Sequence, residues 1–504
     1  MIWADLHGVL RDRGLVPSDV DVRPAPPAVF VTGIASDSRA VETGNVFVAL
    51  KGLHANGTQF ATQAVDRRAA VVVSEDAAPP DLAVPWVVVS DARLALALLA
   101  AAFFRHPSAE MQVVGITGTN GKTTTAYLVA AIFEAARIHC GLMGTVAYKV
   151  GSAVVEATRT TPEAPAVQGL LREMVAAGCG ACAMEVSSHA LSLRRVDGMS
   201  FAAAVFTNLT RDHLDFHADM EAYFQAKRRL FGMLPPHAPS VINLDDPRGT
   251  ALAEAAGRPA TYAIVRPASV TPGPLSFSLE GLNFDVRTPR GRIHIRSSLI
   301  GRVNVYNILA AVAAAEALNI PLDAIEHGVQ SLPGVPGRFQ LVSSLEDEVT
   351  VIVDYAHTDD ALRGLLETTR PLARGRVITV FGCGGDRDRS KRPLMGAVAS
   401  RLSDLIIVTS DNPRTEAPMR IIDEVCRGVT ADTRKDSAQR LLTIVDRREA
   451  IAKGIQRARP GDLVLIAGKG HEKYQVIGDR MLPFDDAAVA REALLRRRSS
   501  SGVV

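Results

Sequence analysis

Apolar residues along this chain fall into short runs separated by polar turns and longer helical stretches. In the first hundred residues the β-rich runs are Asn45–Leu50, Ala70–Val73 and Trp86–Val89, with alanine-rich helical segments between them. That predicts a small α/β domain ending near His106-Pro107. From Gln112 the alternation becomes regular: a strand at Val113–Ile116, a helix over Lys122–Ile138, and strands at Ala181–Met184, Ala203–Phe206 and Ser240–Asn243. Strands without a polar face that alternate with helices predict a mostly parallel sheet covered on both sides. Leu282–Val286 and Arg292–Ile295 alternate around Thr288-Pro289-Arg290-Gly291 and read as an inserted β-hairpin. After the break at Gly334-Val335-Pro336-Gly337 the grammar repeats, with strands at Val351–Val353, Val377–Phe381, Leu405–Val408 and Leu463–Ile466. The reading is an α/β protein of three domains: 1–108, a small N-terminal unit; 109–337, a central parallel-sheet domain; and 338–504, a Rossmann-like unit whose loops lack the GxGxxG fingerprint. The basic, then serine-rich tail from Arg496 to Val504 is expected to fray.

Composition narrows the partners. The 504 residues exceed one comfortable core, and 47% hydrophobic with 22% charged residues describes a globular protein. Lysine plus arginine (56) nearly balances aspartate plus glutamate (54), which gives no general attraction to nucleic acid or anionic membrane. Anion recognition must therefore be local. The five cysteines are scattered and odd in number, so a disulfide framework is not expected; Cys179 and Cys182 read as small apolar residues leading into a strand. Met1–Leu15 lacks the features of a signal peptide, and the longest apolar run, Leu94–Phe104, is too short to span a bilayer. A cytoplasmic monomer is the expectation.

The strongest chemical motif follows the strand at Val113. Gly118-Thr119-Asn120-Gly121-Lys122-Thr123-Thr124 sits at a strand-to-helix turn, where glycines admit phosphate oxygens to backbone N–H groups and the helix N-terminus favours negative charge. Lys122 can reach the β- and γ-phosphates of ATP, and Thr123 can hold Mg²⁺. Where the usual spacing places a first glycine stands Ile116, with Gly115 one residue earlier, so the assignment rests on Gly118 to Thr124. Further along, Glu185 ends a core strand, where α/β sheets place ligands and a carboxylate can hold a metal; the bland reading is a capping or salt-bridged glutamate. His213, in Thr207–Asp215, is either a metal ligand or a loop-bonding histidine. Lys227 lies on a helix with Arg228 and Arg229, and its spacing alone reads as solvated.

Taken together, Asp37-Ser38-Arg39, Gly118–Thr124, Thr160-Thr161-Pro162, Glu185–His189, Asp212–Asp215, Ala226-Lys227, Asn304–Asn307, Gly337-Arg338, Asp354–His357, Gly384–Arg387 and Gly468–Glu472 resemble the Mur ligase family over essentially the whole chain. The resemblance implies an ATP-dependent amide-bond ligase of peptidoglycan precursor synthesis, acting through an acyl phosphate. Ser38 and His54 would contact a UDP-sugar; Thr160, Thr161, Ser187 and Arg195 the muramoyl-peptide; Asn307, Arg338 and Asp354 the adenosine. Thr123, Glu185, His213 and Lys227, the last as an N6-carboxylysine, match metal-binding positions. Two departures stand out. Leu193 replaces a substrate-binding glutamine of some members, and Asp359 replaces a proline that many carry after Asp-Tyr-Ala-His-Thr.

Asp411-Asn412-Pro413-Arg414 resembles the members that add meso-diaminopimelate to UDP-N-acetylmuramoyl-L-alanyl-D-glutamate, as opposed to those adding lysine. Diaminopimelate is lysine with a second carboxylate, which a planar guanidinium clamps through two charge-assisted hydrogen bonds. Arg414 would hold that carboxylate, Arg387 the other, and Gly468 and Glu472 the ammonium end. Losing the partner of a buried Arg414 is worth at least about 2–4 kcal/mol, or roughly 30- to 1,000-fold selectivity. Without the resemblance, the segment is a turn ending in a surface arginine. The alternatives are a lysine-adding ligase, a folylpolyglutamate synthase-like ligase, and a catalytically silent nucleotide-binding regulator.

Overall fold

The computed structural model describes residues 1–17, 28–52, 55–82, 84–344, 346–435 and 440–501. Three sheets of predominantly parallel strands follow one another along the chain. The first has four parallel strands in the order Gly33–Ala35, Asn45–Ala49, Val71–Ser74 and Trp86–Val88. Its two faces are sorted by period-two alternation. Val46, Val48, Val71 and Val73 join the core under helix Ala92–Phe103, whereas Phe47, Val72 and Trp86 fill the opposite core.

The central sheet has eight strands in the order Pro259–Tyr262, Ser240–Asn243, Ala203–Phe206, Gln112–Thr117, Ala181–Glu185, Cys140–Met143, Ala147–Val150 and Ala153–Glu156. The first six run parallel, and the last two form an antiparallel edge. Val114, Ala183 and Val205 point into the core beneath helices Lys122–Ala135 and Arg302–Ala317. Val113, Met184 and Ala204 point into the core on the other face. Strand Gln112–Thr117 is flanked on its two sides by strands that come later in the chain, so loops from both neighbours converge on its carboxyl end. The expected hairpin is present, as Gly281–Thr288 paired with Gly291–Ser297, within a separate four-stranded antiparallel sheet.

The last large sheet orders Gln340–Leu341, Thr350–Asp354, Leu463–Ala467, Val377–Phe381, Leu405–Val408 and Leu441–Thr443, all parallel save the short first strand. A small hairpin, Tyr474–Ile477 with Arg480–Pro483, stands beside it. The crossing from the central unit is tight: Gly337 has φ +65°, and a Cβ there would lie 2.0 Å from the His471 nitrogen.

As far as Ser501 the tail departs from the expected fraying, and residues 502–504 lie outside the described residues. Residues 496–501 continue the helix Asp486–Ser501, and the Arg498 guanidinium reaches Asp347 (2.7 Å) and Glu346 (2.6 Å). A composition that reads as a loose tail is tied down by ion pairs that no local pattern shows. Asp359 opens helix Asp359–Thr369, whose N-cap is the Thr358 hydroxyl accepting from the Ala361 N–H. Among the described residues, no helix is long and apolar enough to cross a membrane, and all five cysteines are free thiols.

Candidate active site

The carboxyl ends of the central strands open into a cavity of about 490 Å³ whose walls come from both the central and the C-terminal sheets. Thr119 to Thr124 form one side. Thr160, Glu185, Ser187, His213 and Asn307 contribute from the central unit, and Arg338 and Asp354 from the C-terminal one. Segments as far apart in sequence as residues 119 and 354 thus meet around one space.

The loop has to be glycine-rich at its turn into the helix. Gly121 has φ +87°, and a Cβ there would fall 2.3 Å from the Asn307 Oδ1. Any side chain would strain the backbone and displace the asparagine. Lys122 Nζ donates to the carbonyl oxygens of Gly118 (3.0 Å) and Thr119 (2.8 Å), and desolvation lowers its pKa. Asn208, at the end of the neighbouring strand, accepts from the Asn120 N–H at 2.9 Å and donates to the Asn120 carbonyl at 3.1 Å, which fixes the loop's shape.

Lys227 corrects the solvated reading of its spacing. It is 2% exposed, its Nζ donates to the Gly118 carbonyl at 2.7 Å, and it stands 4.3 Å from the Tyr223 ring centroid. Burial first, and then the neighbouring Lys122 charge, push its pKa well below the usual lysine range. Helix Met220–Gly232 turns this face toward the phosphate loop, while Arg228 on the same helix stays exposed.

Glu185 is likewise buried. Its Oε1 accepts from the Thr145 N–H (2.7 Å) and its Oε2 from the Thr145 hydroxyl (3.0 Å). Thr145 in turn meets the Thr160 hydroxyl at 3.0 Å. The strand Cys140–Met143 that delivers Thr145 was not marked by the apolar pattern, so this partner was missed. Thr161 Oγ1 donates to the Glu185 carbonyl (2.9 Å), Ser187 Oγ caps helix Ser188–Ser192, and Arg195 spans the Thr161 carbonyl (3.0 Å) and Glu163 (2.6 Å). Leu193 is the C-cap of that short helix. His213 has a left-handed backbone (φ 54°) and stacks edge-on against His189, 4.8 Å between centroids; burial lowers its pKa to about 3. Arg338 donates to Thr123 Oγ1 at 3.1 Å and lies over the Tyr355 ring. Asp354 accepts from the N–H groups of Phe339 and Ala356, with its pKa raised chiefly by burial.

A second cluster lies on the C-terminal sheet. Asn412 Nδ2 donates to Glu472 Oε2 at 2.8 Å, and the half-buried Arg414 donates to the Gly385 carbonyl at 2.7 Å. The Arg414 backbone is left-handed (φ 51°); its N–H donates to the Val476 carbonyl and its own carbonyl accepts from Gly478. Asp411 and Pro413 are buried, Gly468 follows the last core strand, and Arg387 is exposed on the adjoining loop. Ser38 sits apart in the N-terminal unit, where its hydroxyl donates to Gln63 at 2.6 Å. His54 lies outside the described residues.

A phosphate loop feeding a cavity that a second α/β unit helps to wall is the layout of a nucleotide-dependent enzyme. The Mur ligase middle domain matches residues 116–315, the Mur ligase glutamate ligase domain residues 337–470, and the Mur ligase family catalytic domain residues 30–104. A UDP-N-acetylmuramoyl-L-alanyl-D-glutamate–2,6-diaminopimelate ligase of Gloeobacter violaceus is 47% identical, over 98% of this chain and 99% of its own length. One from Bacillus licheniformis is 43% identical, over 92% and 95%. A solved structure of a ligase of the same name is 35% identical, covers 95% of this chain and 98% of its own, and superposes with a TM-score of 0.67. The chain belongs to the Mur ligase family.

Proposed function

We propose that this protein joins meso-diaminopimelate to UDP-N-acetylmuramoyl-L-alanyl-D-glutamate in an ATP-dependent, ADP-forming reaction of cytoplasmic peptidoglycan precursor synthesis. One observation carries the choice of amino acid. Arg414, Asn412 and Glu472, drawn from two distant segments, converge beside the loop that bears Arg387. Two guanidinium groups and a carboxylate suit a substrate with two carboxylates and an ammonium.

Lys122 and the loop N–H groups bind the phosphates and neutralise charge as the D-glutamyl γ-carboxylate attacks the γ-phosphorus, with ADP leaving. The amine of diaminopimelate then attacks the acyl phosphate. A tetrahedral intermediate loses inorganic phosphate and a proton, leaving an amide. Thr160, Thr161, Ser187 and Arg195 would position the peptide carboxylate, Ser38 and His54 the nucleotide-sugar, and Asn307, Arg338 and Asp354 the adenosine.

Mg²⁺ favours oxygen donors, and the residues at hand fit it: the Thr123 hydroxyl and the Glu185 carboxylate share a cavity with His213. Among the described residues no group of three His, Cys, Asp or Glu side chains is placed to hold a metal by itself, and Mg²⁺ ordinarily completes its shell with water and substrate phosphate. Carboxylation of Lys227 would add one more anionic donor. Burial and the neighbouring Lys122 charge disfavour the ammonium form, and the free amine attacks CO₂, forms an N–C bond as one C–O π bond opens, loses a proton and becomes a carbamate. Bound metal would neutralise phosphate charge.

The test is phosphate release with the UDP-linked dipeptide and ATP, comparing meso-diaminopimelate with L-lysine. Release only with diaminopimelate is expected. Equal rates would remove the specificity, and release with neither would leave a nucleotide-binding regulator.

A further inference from the structure

One residue of the segment Gly468–Glu472 has no part in the reaction just described, yet it is a lysine taken wholly out of water. Lys469 is fully buried, and its Nζ lies 3.0 Å from Asn412 Oδ1, 2.8 Å from Glu472 Oε2 and 4.0 Å from Asp411 Oδ1, with the Tyr474 ring centroid 5.7 Å away. A lysine taken wholly out of water is tolerated only where its donors are matched. Here all its polar partners belong to the amino-acid cluster.

The arrangement fixes two orientations. Asn412 Oδ1 accepts from both Lys469 Nζ and the Val476 N–H (3.0 Å), so the carboxamide cannot flip without setting its NH₂ against two donors. Its Nδ2 is thereby aimed at Glu472 Oε2. The same Oε2 receives Lys469, so both contacts fall on one carboxylate oxygen and Oε1 is left for an incoming ammonium. Lys469 also has a near neighbour in Asp411, the first residue of the turn that presents Arg414.

We propose that Lys469 is a positioning residue for the amino-acid site: it locks the Asn412 carboxamide and the Glu472 carboxylate in the orientation that receives the ammonium end of a diamino dicarboxylic acid. The role rests on the assignment of diaminopimelate to this cluster, and it acts through Asn412 and Glu472 rather than by touching substrate.

The experiment is steady-state kinetics on the full chain, with Lys469→Met, Glu472→Gln, the double variant and Arg414→Ala measured side by side. Lys469→Met is expected to raise KM for diaminopimelate at least tenfold while KM for ATP stays within twofold. In the Glu472→Gln background the same change should add less than threefold, because the group it orients has already been altered. Equal effects in the two backgrounds, or parallel rises in both KM values, would reduce Lys469 to a packing role and overturn the proposal. If Arg414→Ala and Glu472→Gln both leave KM for diaminopimelate unchanged, the assignment of the site itself fails. If they raise it and Lys469→Met does not, only the positioning role falls. Should Lys469→Met not fold, Lys469→Gln keeps a donor without the charge: a rise of threefold or more in KM for diaminopimelate is expected, and an unchanged value overturns the proposal.

Discussion

At the phosphate loop, Lys227 and Glu185 are 2% and 1% exposed, and each is held by hydrogen bonds from or to the backbone of a neighbouring loop. In the C-terminal cluster the supporting residues Asp411, Asn412 and Lys469 are buried, but the two guanidinium groups are not: Arg387 is exposed and Arg414 half-buried. Under the proposed function the difference separates two tasks. On that function, groups that hold the phosphates and a metal gain strength from a dry, fixed setting and serve whichever amino acid is added. Groups that choose between amino acids need only lose a partner when the wrong one enters, so they can sit at the rim while buried neighbours hold the rim in shape.

The contrast is broken most severely at the loop. Lys122→Met should lower kcat by about 10²–10³-fold with any amino acid supplied, because it removes a charge used in the transition state; a fall confined to KM for diaminopimelate would put Lys122 in the wrong half. Arg414 is half-buried rather than fully buried as expected from the sequence, so Arg414→Ala should lower kcat/KM for diaminopimelate by roughly 10- to 150-fold and leave KM for ATP nearly unchanged. A comparable rise for ATP would abolish the division of labour.

A smaller effect lies between the two sites. Burial is the main cause that lowers the His471 pKa from 6.5 to about 3. The folded protein therefore keeps this imidazole neutral while the unfolded chain protonates it. Its contribution to stability is present above pH 6.5 and is lost as pH falls toward 3. In thermal melts, His471→Gln should show a smaller drop in Tm between pH 7 and pH 5 than the wild type; equal drops would assign the acid sensitivity elsewhere. The smallest effect is expected for Asp359→Pro. The position is the first of its helix, and Thr358 before it is extended (φ −121°, ψ 160°), a conformation proline accepts. Tm should move by no more than about 2 °C, and kcat/KM for either substrate should hold.

Strands such as Ala203–Phe206, Val377–Phe381 and Leu405–Val408 were legible to the residue, because four- and five-residue runs that are apolar save for Thr379 and bounded by polar turns have one plausible use in a parallel sheet. The edge strands Ala147–Val150 and Ala153–Glu156 were not. The second of these is exposed along its length and carries no burial signature. At the phosphate site, Gly118 to Thr124 announced themselves by spacing. Lys227 did not, because helical spacing with two arginines beside it looks the same whether the lysine faces water or the underside of a loop more than a hundred residues earlier. Thr145 and Lys469 show the same limit. Their importance lies in whom they hold, and that is settled by packing between distant segments.

The clamped crossing at Gly337 has a consequence for timing. Because any side chain at Gly337 would collide with the backbone of Gly470 and His471, the place where the chain passes from one sheet to the next lies against the segment that carries Lys469 and Glu472. A swing of the C-terminal unit about that point would drag the segment along with it. Parting the two units would then carry the amino-acid cluster off as one piece, and would also break the hydrogen bond from Arg338 to Thr123 Oγ1.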